Sequence, residues 1–280
     1  MARLRISTIS YLNTAPLMWD FEHGEAGRDF DISYTLPSAC ARALQAGAAD
    51  IGIIPAAAYT QIHGLVILPE VAIASRGAVR SILLVSRIPI EKVRSVALDT
   101  SSMTSVALTK VLFDKWLGAG RTFTPMQPDI DKMLAAHDAA LLIGDPALQV
   151  DRTRYYTLDL AREWIRRTGR PFVFAFWAVR QAALRPDSSF NSHDLATIFQ
   201  QSRDHGLEPA SLDHISREWM PRLGLKKEEL YSYLTENIYY HLDAPCLEGL
   251  LLFYRYAAEI GALPAVRELR FAETGSPVGS

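Results

Sequence analysis

The strongest constraint in this chain is a unit that recurs: a short apolar strand, a polar loop at its carboxyl end, then a helix. In the first instance Leu4 to Ile9 reads as a strand, runs into Ser10-Tyr11-Leu12-Asn13-Thr14-Ala15-Pro16, and continues into a helical Pro16 to Phe21. The second is Asp31 to Leu36 followed by Pro37-Ser38, with Ser38 as the expected N-cap of a helix that reaches Gln45 and stops at Gly47. The third is Ile51-Gly52-Ile53-Ile54-Pro55 and a helix over Ala56 to Ile62. A run apolar on both faces suits a buried parallel strand, so the pattern predicts βαβαβα layering. Ligands of open α/β sheets sit beyond strand carboxyl ends. An ordinary capped connection, with Thr14 as cap and Pro16 at the first helical position, would look the same at any single loop. The recurrence is what points to a ligand.

Farther along, Leu65 to Ala74 and Val79 to Val85 read as two longer strands joined tightly at Arg76-Gly77, and Ile88-Pro89 interrupts the pattern. A new α/β unit starts at Ser95 to Asp99, leads through Thr100-Ser101-Ser102 into a helix over Met103 to Leu117, and stops at Gly118. Strands are expected at Arg121 to Met126, Ala139 to Ile143 and Tyr155 to Leu158, with a helix opened by Gly144-Asp145-Pro146 and another over Ala161 to Thr168. The aromatic run Pro171 to Val179 reads as a returning strand. Helices follow at Asn191 to His205, Glu208 to Glu218, Lys226 to Leu234 and Cys246 to Ile260, the last with Leu247, Leu250, Leu251, Tyr254 and Ala258 on one face. Glu273 to Ser280 reads as a frayed polar tail. At 280 residues the chain suits two domains. The expected division is a first lobe of 1–87 plus 177–280 and a second α/β lobe of 88–176. Leaving the first lobe once and returning once resembles the type II periplasmic-binding-protein fold, two lobes that close on a ligand cleft by hinge motion.

Four loops would face that cleft: Ser10 to Thr14, Pro37-Ser38, Thr100 to Ser105 and Gly144-Asp145. Free N–H groups and the dipole at the helix starts near Ser38 and Thr104 favour an anion by about 0.3–1 kcal/mol each. The net charge of -2, from 29 basic and 31 acidic residues, gives no global field toward nucleic acid or membrane. An anionic small molecule must therefore be held by local donors. No run of about 18 apolar residues occurs and the first residues enter a strand directly, which implies a cytoplasmic protein.

Other chemistries find little support. No GxGxxG follows a strand, Gly144-Asp145 lacks the lysine of a phosphate loop, and no GxSxG elbow occurs. The seven histidines (His23, His63, His137, His193, His205, His214 and His241) show no HExxH and no paired metal spacing, so no metal site is expected. Cys40 and Cys246 read as buried packing residues. Asp50 reads as a turn support, and Asp145 is the best candidate for acid/base work.

Taken together, Ile9-Ser-Tyr-Leu-Asn-Thr-Ala-Pro-Leu17, Pro37-Ser-Ala-Cys-Ala41, Gly47 with Asp50-Ile-Gly-Ile-Ile-Pro55, Ser81-Ile-Leu-Leu-Val-Ser86, Leu98-Asp-Thr-Ser-Ser-Met-Thr-Ser105, Leu142-Ile-Gly-Asp-Pro-Ala147 and Thr168-Gly-Arg-Pro-Phe-Val-Phe-Ala175 resemble the chorismate dehydratase family of the futalosine route to menaquinone. The set runs in order to about Trp177, whereas the C-terminal third matches in kind only. The resemblance implies a hydro-lyase that converts chorismate to 3-[(1-carboxyvinyl)oxy]benzoate without metal or organic cofactor. It implies Asn13 as the functional asparagine, with Asp145 as the competing base. Ser10, Ser38, Ser81, Ser102, Thr104, Ser105 and Gly144 are the expected substrate contacts. Two other functions stay open. One is the sister dihydroxynaphthoate synthase, expected to open with a Pro-Asn-Asp type loop and to use a histidine base. The other is a cytoplasmic binding or sensor module for an aromatic carboxylate. An exposed face on the C-terminal helices could carry a homodimer contact.

Overall fold

The computed structural model describes residues 3–184, 190–265 and 268–272; the tail expected to fray, 273–280, lies outside them. Among the described residues ten strands form two five-stranded sheets. The first takes β1 (Leu4–Ile9), β2 (Phe30–Thr35), β3 (Ile51–Pro55), β4 (Leu65–Ser75) and the returning β10 (Phe172–Arg180), in the order β2-β1-β3-β10-β4. The second takes β5 (Ile82–Ser86), β6 (Ser95–Asp99), β7 (Thr122–Met126), β8 (Ala139–Ile143) and β9 (Tyr156–Asp159), in the order β7-β6-β8-β5-β9. Within each sheet three strands run parallel and the inserted one, β10 or β5, is antiparallel to its neighbour in that set. The expected two-lobed α/β architecture is the observed one.

One expectation about lobe membership is wrong. Val79 to Val85 was assigned to the first lobe, but β5 pairs with β8 and β9 in the second sheet. The crossing therefore falls at 76–81, ahead of β5, and not at the expected boundary between 87 and 88. A crossing and a hairpin have the same local signal here, because either needs a tight polar connection between two apolar runs. The crossing is fixed by tertiary contacts: the Val79 and Arg80 N–H groups donate to the Asp159 carboxylate at 3.2 and 2.7 Å, and Arg80 sits at φ 62. The return comes after the helix Leu160–Thr168, which Gly169 ends at φ 68, so β10 is in the first sheet from Phe172 and not from 177.

The helices in order are α1 (Trp19–His23), α2 (Pro37–Gln45), α3 (Ala56–Tyr59), α4 (Thr104–Leu112), α5 (Ile130–Ala136), α6 (Gly144–Leu148), α7 (Leu160–Thr168), α8 (Ser192–Gly206), α9 (Pro209–Leu223), α10 (Lys227–Ser232) and α11 (Ala244–Glu259). Sequence patterning did not anticipate α5. In α2 the N-cap is Leu36 with Pro37 at the first helical position, so Ser38 lies inside the first turn instead of capping it. The inward face of α11 is Cys246, Gly249, Leu250, Phe253, Tyr254 and Ala257, while Leu251 points outward at 46% exposure. The expected stripe was offset by about one residue because Leu and Tyr sit on both sides of the true seam.

One large core draws on strands and helices of both lobes, and a smaller one, with Leu83, Val85, Met133 and Leu142, fills the space between the second sheet and α5. The C-terminal helices bridge the lobes. Helix α11 packs on β10 and on α4, the Tyr254 hydroxyl donates to the Ala56 carbonyl at 2.6 Å, and Gln149 donates to the Leu223 carbonyl at 3.1 Å. Among the described residues no helix is long and apolar enough to cross a membrane.

Candidate active site

Strand β1 ends in a 3-10 segment, Leu12–Met18, entirely buried, that turns the chain back toward the second lobe. Helix α8 lies so close to this segment that a Cβ on Gly206 would come within 1.9 Å of the Pro16 carbonyl oxygen. Opposite, the amino end of α4 presents Ser102, Thr104 and Ser105, and the start of α6 presents Gly144. Between them lies a cleft lined by residues of both lobes. Its polar wall is Tyr11, Asn13, Ser102, Thr104 and Ser105; Ile9, Ile73, Ile143 and Phe174 supply apolar surface. Among the described residues none lining it carries a carboxylate, an amine, a guanidinium or an imidazole.

Asn13, Ser102, Thr104, Ser105 and Gly144 are thus brought to one cavity. Ser102 accepts the Ser105 N–H at 3.2 Å, the bond of a helix cap. The Thr104 hydroxyl donates to the Phe174 carbonyl at 3.0 Å and accepts the Ala57 N–H at 3.1 Å, which ties the two lobes and commits its proton. Ser38 is buried beside the wall, its N–H bonded to the Ser101 carbonyl at 3.0 Å. Ser81 is fully buried behind the wall; its carbonyl accepts the Gly144 N–H at 2.8 Å and its hydroxyl accepts from Tyr233 at 2.8 Å. Ser10 is exposed and faces a separate outer hollow on the far side of Tyr11. Asp145 also lies off the cavity wall, and its carboxylate accepts the Leu12 N–H across the lobe boundary at 3.0 Å.

Burial pushes the Asp145 carboxyl up to about 6, against the Leu12 N–H and the more distant Arg222 charge, which both favour the anion. Burial also pushes the Tyr11 phenol up to about 12, opposed by its bond with Ser101 and reinforced by the nearby Asp99 and Asp145 charges. Ser101 in turn gives its N–H and hydroxyl to the fully buried Asp99 at 2.8 and 2.6 Å. The Tyr233 phenol is raised by burial and touches both Ser81 and Asn13. The Tyr11 phenol on the wall and the Tyr233 phenol behind it therefore stay protonated, and the polar side chains lining the cavity are neutral.

A family model described as menaquinone biosynthesis matches residues 4–259, nearly the whole chain. The chain belongs to the menaquinone biosynthesis family. A member from Thermus thermophilus, named chorismate dehydratase, is 31% identical over 261 residues, covering 87% of this chain and 91% of that protein. A solved structure from Archaeoglobus fulgidus superposes with a TM-score of 0.76 at 18% identity, covering 93% of this chain and 98% of that one. The periplasmic aliphatic sulphonate binding protein from Escherichia coli superposes at 0.64, with 17% identity and 95% of each chain covered. The chain has the two-lobed type II periplasmic-binding-protein fold, as a menaquinone biosynthesis family member with its cleft between the lobes.

Sequence reasoning about this family member missed Tyr11, Ser101 and Tyr233. Tyr11 packs against Gly144, which has φ +61, and a Cβ there would meet the Tyr11 ring at 2.6 Å. Both the left-handed backbone and the close ring require glycine. Tyr11 lay inside a quoted motif and Gly144 ended an apolar strand, but nothing in the spacing of 133 residues pairs them. Tyr233 carried no signal at all, since it comes from the helical third.

Proposed function

We propose that this chain is a chorismate dehydratase that removes water from chorismate to give 3-[(1-carboxyvinyl)oxy]benzoate. The reading is supported by the Thermus relative and, at the site, by one observation: a small cleft walled by neutral amide and hydroxyl donors with Asn13 facing the amino end of α4. In the reaction the C–H bond at the ring carbon bearing the enolpyruvyl ether breaks and its electron pair forms a ring double bond. The neighbouring C–O bond breaks at the same time, and the departing hydroxide takes up the proton released from the ring carbon and leaves as water. Aromatisation drives the step, so the protein has to position the groups and assist the departing oxygen.

In this reading the substrate's own enolpyruvyl carboxylate takes the proton. Asn13 orients that carboxylate or the departing hydroxyl, and the α4 amino end with Ser105 holds the ring carboxylate. Asp145 serves as a tie to Leu12, consistent with a carboxylate engaged away from the cavity. The test is to incubate the purified chain with chorismate and follow products by mass and ultraviolet absorption against an enzyme-free control. Loss of one water with an aromatic product is expected. Unchanged chorismate beside folded protein that shows a ligand-induced thermal shift would overturn the reading in favour of a binding module.

A further inference from the structure

We propose that His23, His214 and Glu218 form a binding site for a divalent transition-metal ion of the zinc class, on the outer surface where α1 meets α9. His214 and Glu218 are one turn apart on the exposed face of α9, so their side chains project side by side. His23 ends α1 and comes from a segment almost two hundred positions earlier. One ligand atom from each of the three lies within 4.8 Å of the others. Zn–N and Zn–O bonds of about 2.0–2.2 Å at tetrahedral angles place ligand atoms about 3.3–3.6 Å apart, so these exposed side chains close on an ion by rotamer shifts of up to about 1.5 Å.

Two features set the imidazoles for this role. The Trp19 ring stacks on His23 with centroids 4.0 Å apart and meets His214 edge-on at 5.6 Å, while the two histidine rings lie 5.1 Å apart. That packing restrains both rings before any ion arrives. The His23 Nδ1 faces the Trp19 carbonyl oxygen at 3.3 Å, and a proton held there leaves Nε2 with its lone pair outward. Glu218 accepts from Arg222 at 2.7 Å, and a carboxylate with two oxygens can serve the guanidinium and an ion together. Two nitrogens and one oxygen with the outer side open to water is a donor set that zinc accepts. The histidine spacing in the sequence hides it, because the pair on α9 is His-x-x-x-Glu and the third ligand is supplied by the fold.

A bound ion would fasten α1, which directly follows the Asn13 segment, to α9, whose Glu218 and Arg222 line the outer hollow beside Ser10 and Tyr11. The test is calorimetric titration of the chelator-treated full chain with zinc chloride, with Trp fluorescence and thermal unfolding followed in parallel. One ion per chain is expected, with a change in Trp emission and a rise in Tm. His23→Ala and His214→Ala should each weaken binding by at least about tenfold, since outer-shell changes alone cost about 10–100-fold. His63→Ala, at a distant site, should leave it unchanged. Circular dichroism in chelator confirms that each variant is folded, and the surface variant Glu218→Gln gives a second reading should an alanine variant not fold. Absence of saturable zinc binding by the wild type, or equal binding by the folded His23→Ala/His214→Ala double variant, would overturn the proposal.

Discussion

The two lobes share one strand order and bring different groups to the cleft. In the first sheet β1 runs into a buried 3-10 segment that carries an amide, Asn13, and β3 ends in the apolar Pro55-Ala56-Ala57. In the second, the corresponding strand β6 runs into hydroxyls at the amino end of α4, and β8 ends in Gly144-Asp145, where the carboxylate turns back to the first lobe. The difference teaches that the topology fixes where loops converge and leaves the chemistry of each loop free. Here one lobe supplies a neutral amide and the other supplies helix-end donors together with the ties that hold the lobes shut.

The sharpest way to break this division of labour is Asn13→Ala. If the first lobe's amide assists the departing group, turnover of chorismate should fall by about 10²–10³, the usual cost of losing one preorganised donor. Single-turnover rates beside an unchanged thermal unfolding curve would check it; near-normal chemistry would move the catalytic contribution to the second lobe.

Asp145→Asn asks whether the second lobe's carboxylate is a tie or a base. The amide oxygen can still accept the Leu12 N–H, so turnover should stay within about tenfold of wild type, the lower end of what an essential acid/base group contributes being larger. The same variant has a pH signature. Because the folded carboxyl is raised from 3.8 to about 6, its contribution to stability is full below the unfolded value and is lost as pH rises through 6. Wild type should thus lose stability relative to Asp145→Asn between about pH 4 and 6, read as the difference of the two Tm-against-pH curves. A flat difference would mean that the carboxylate is not held at a raised value.

Ser102→Ala should have the smallest effect. Losing the bond from the Ser105 N–H costs about 0.5–2 kcal/mol, or a few degrees of Tm for a chain of this size by the usual scaling of about 2–4 °C per kcal/mol. If instead binding of chorismate falls strongly while Tm hardly moves, Ser102 acts on ligand and the two lobes differ less than their local bonds suggest.

Much of this was legible in the residues themselves. Ile51 to Pro55 reads as a buried strand because only a strand covered on both faces can be apolar throughout. The convergence of Asn13, Ser102, Thr104, Ser105 and Gly144 follows from the rule that loops at strand carboxyl ends meet at the cleft. The lobe assignment of β5 was not legible, since Ile82 to Ser86 is as apolar as the strands of either sheet and its neighbours are chosen by contacts 53 to 76 residues away. Ser38 was misplaced by two positions because Pro37 starts the helix without a side-chain cap.

The sequence by itself determined the alternation of strands and helices, the places where each chain segment turns, and the polar character of the turning loops, because these depend on side-chain periodicity and local backbone preference. Only the tertiary structure decided which sheet received β5, that Tyr11 would close on Gly144, that Thr104 and Asp145 would spend hydrogen bonds on joining the lobes, and that His23 would meet α9. Each of those is a contact between groups far apart in the chain, and no local preference encodes a distance that only packing sets.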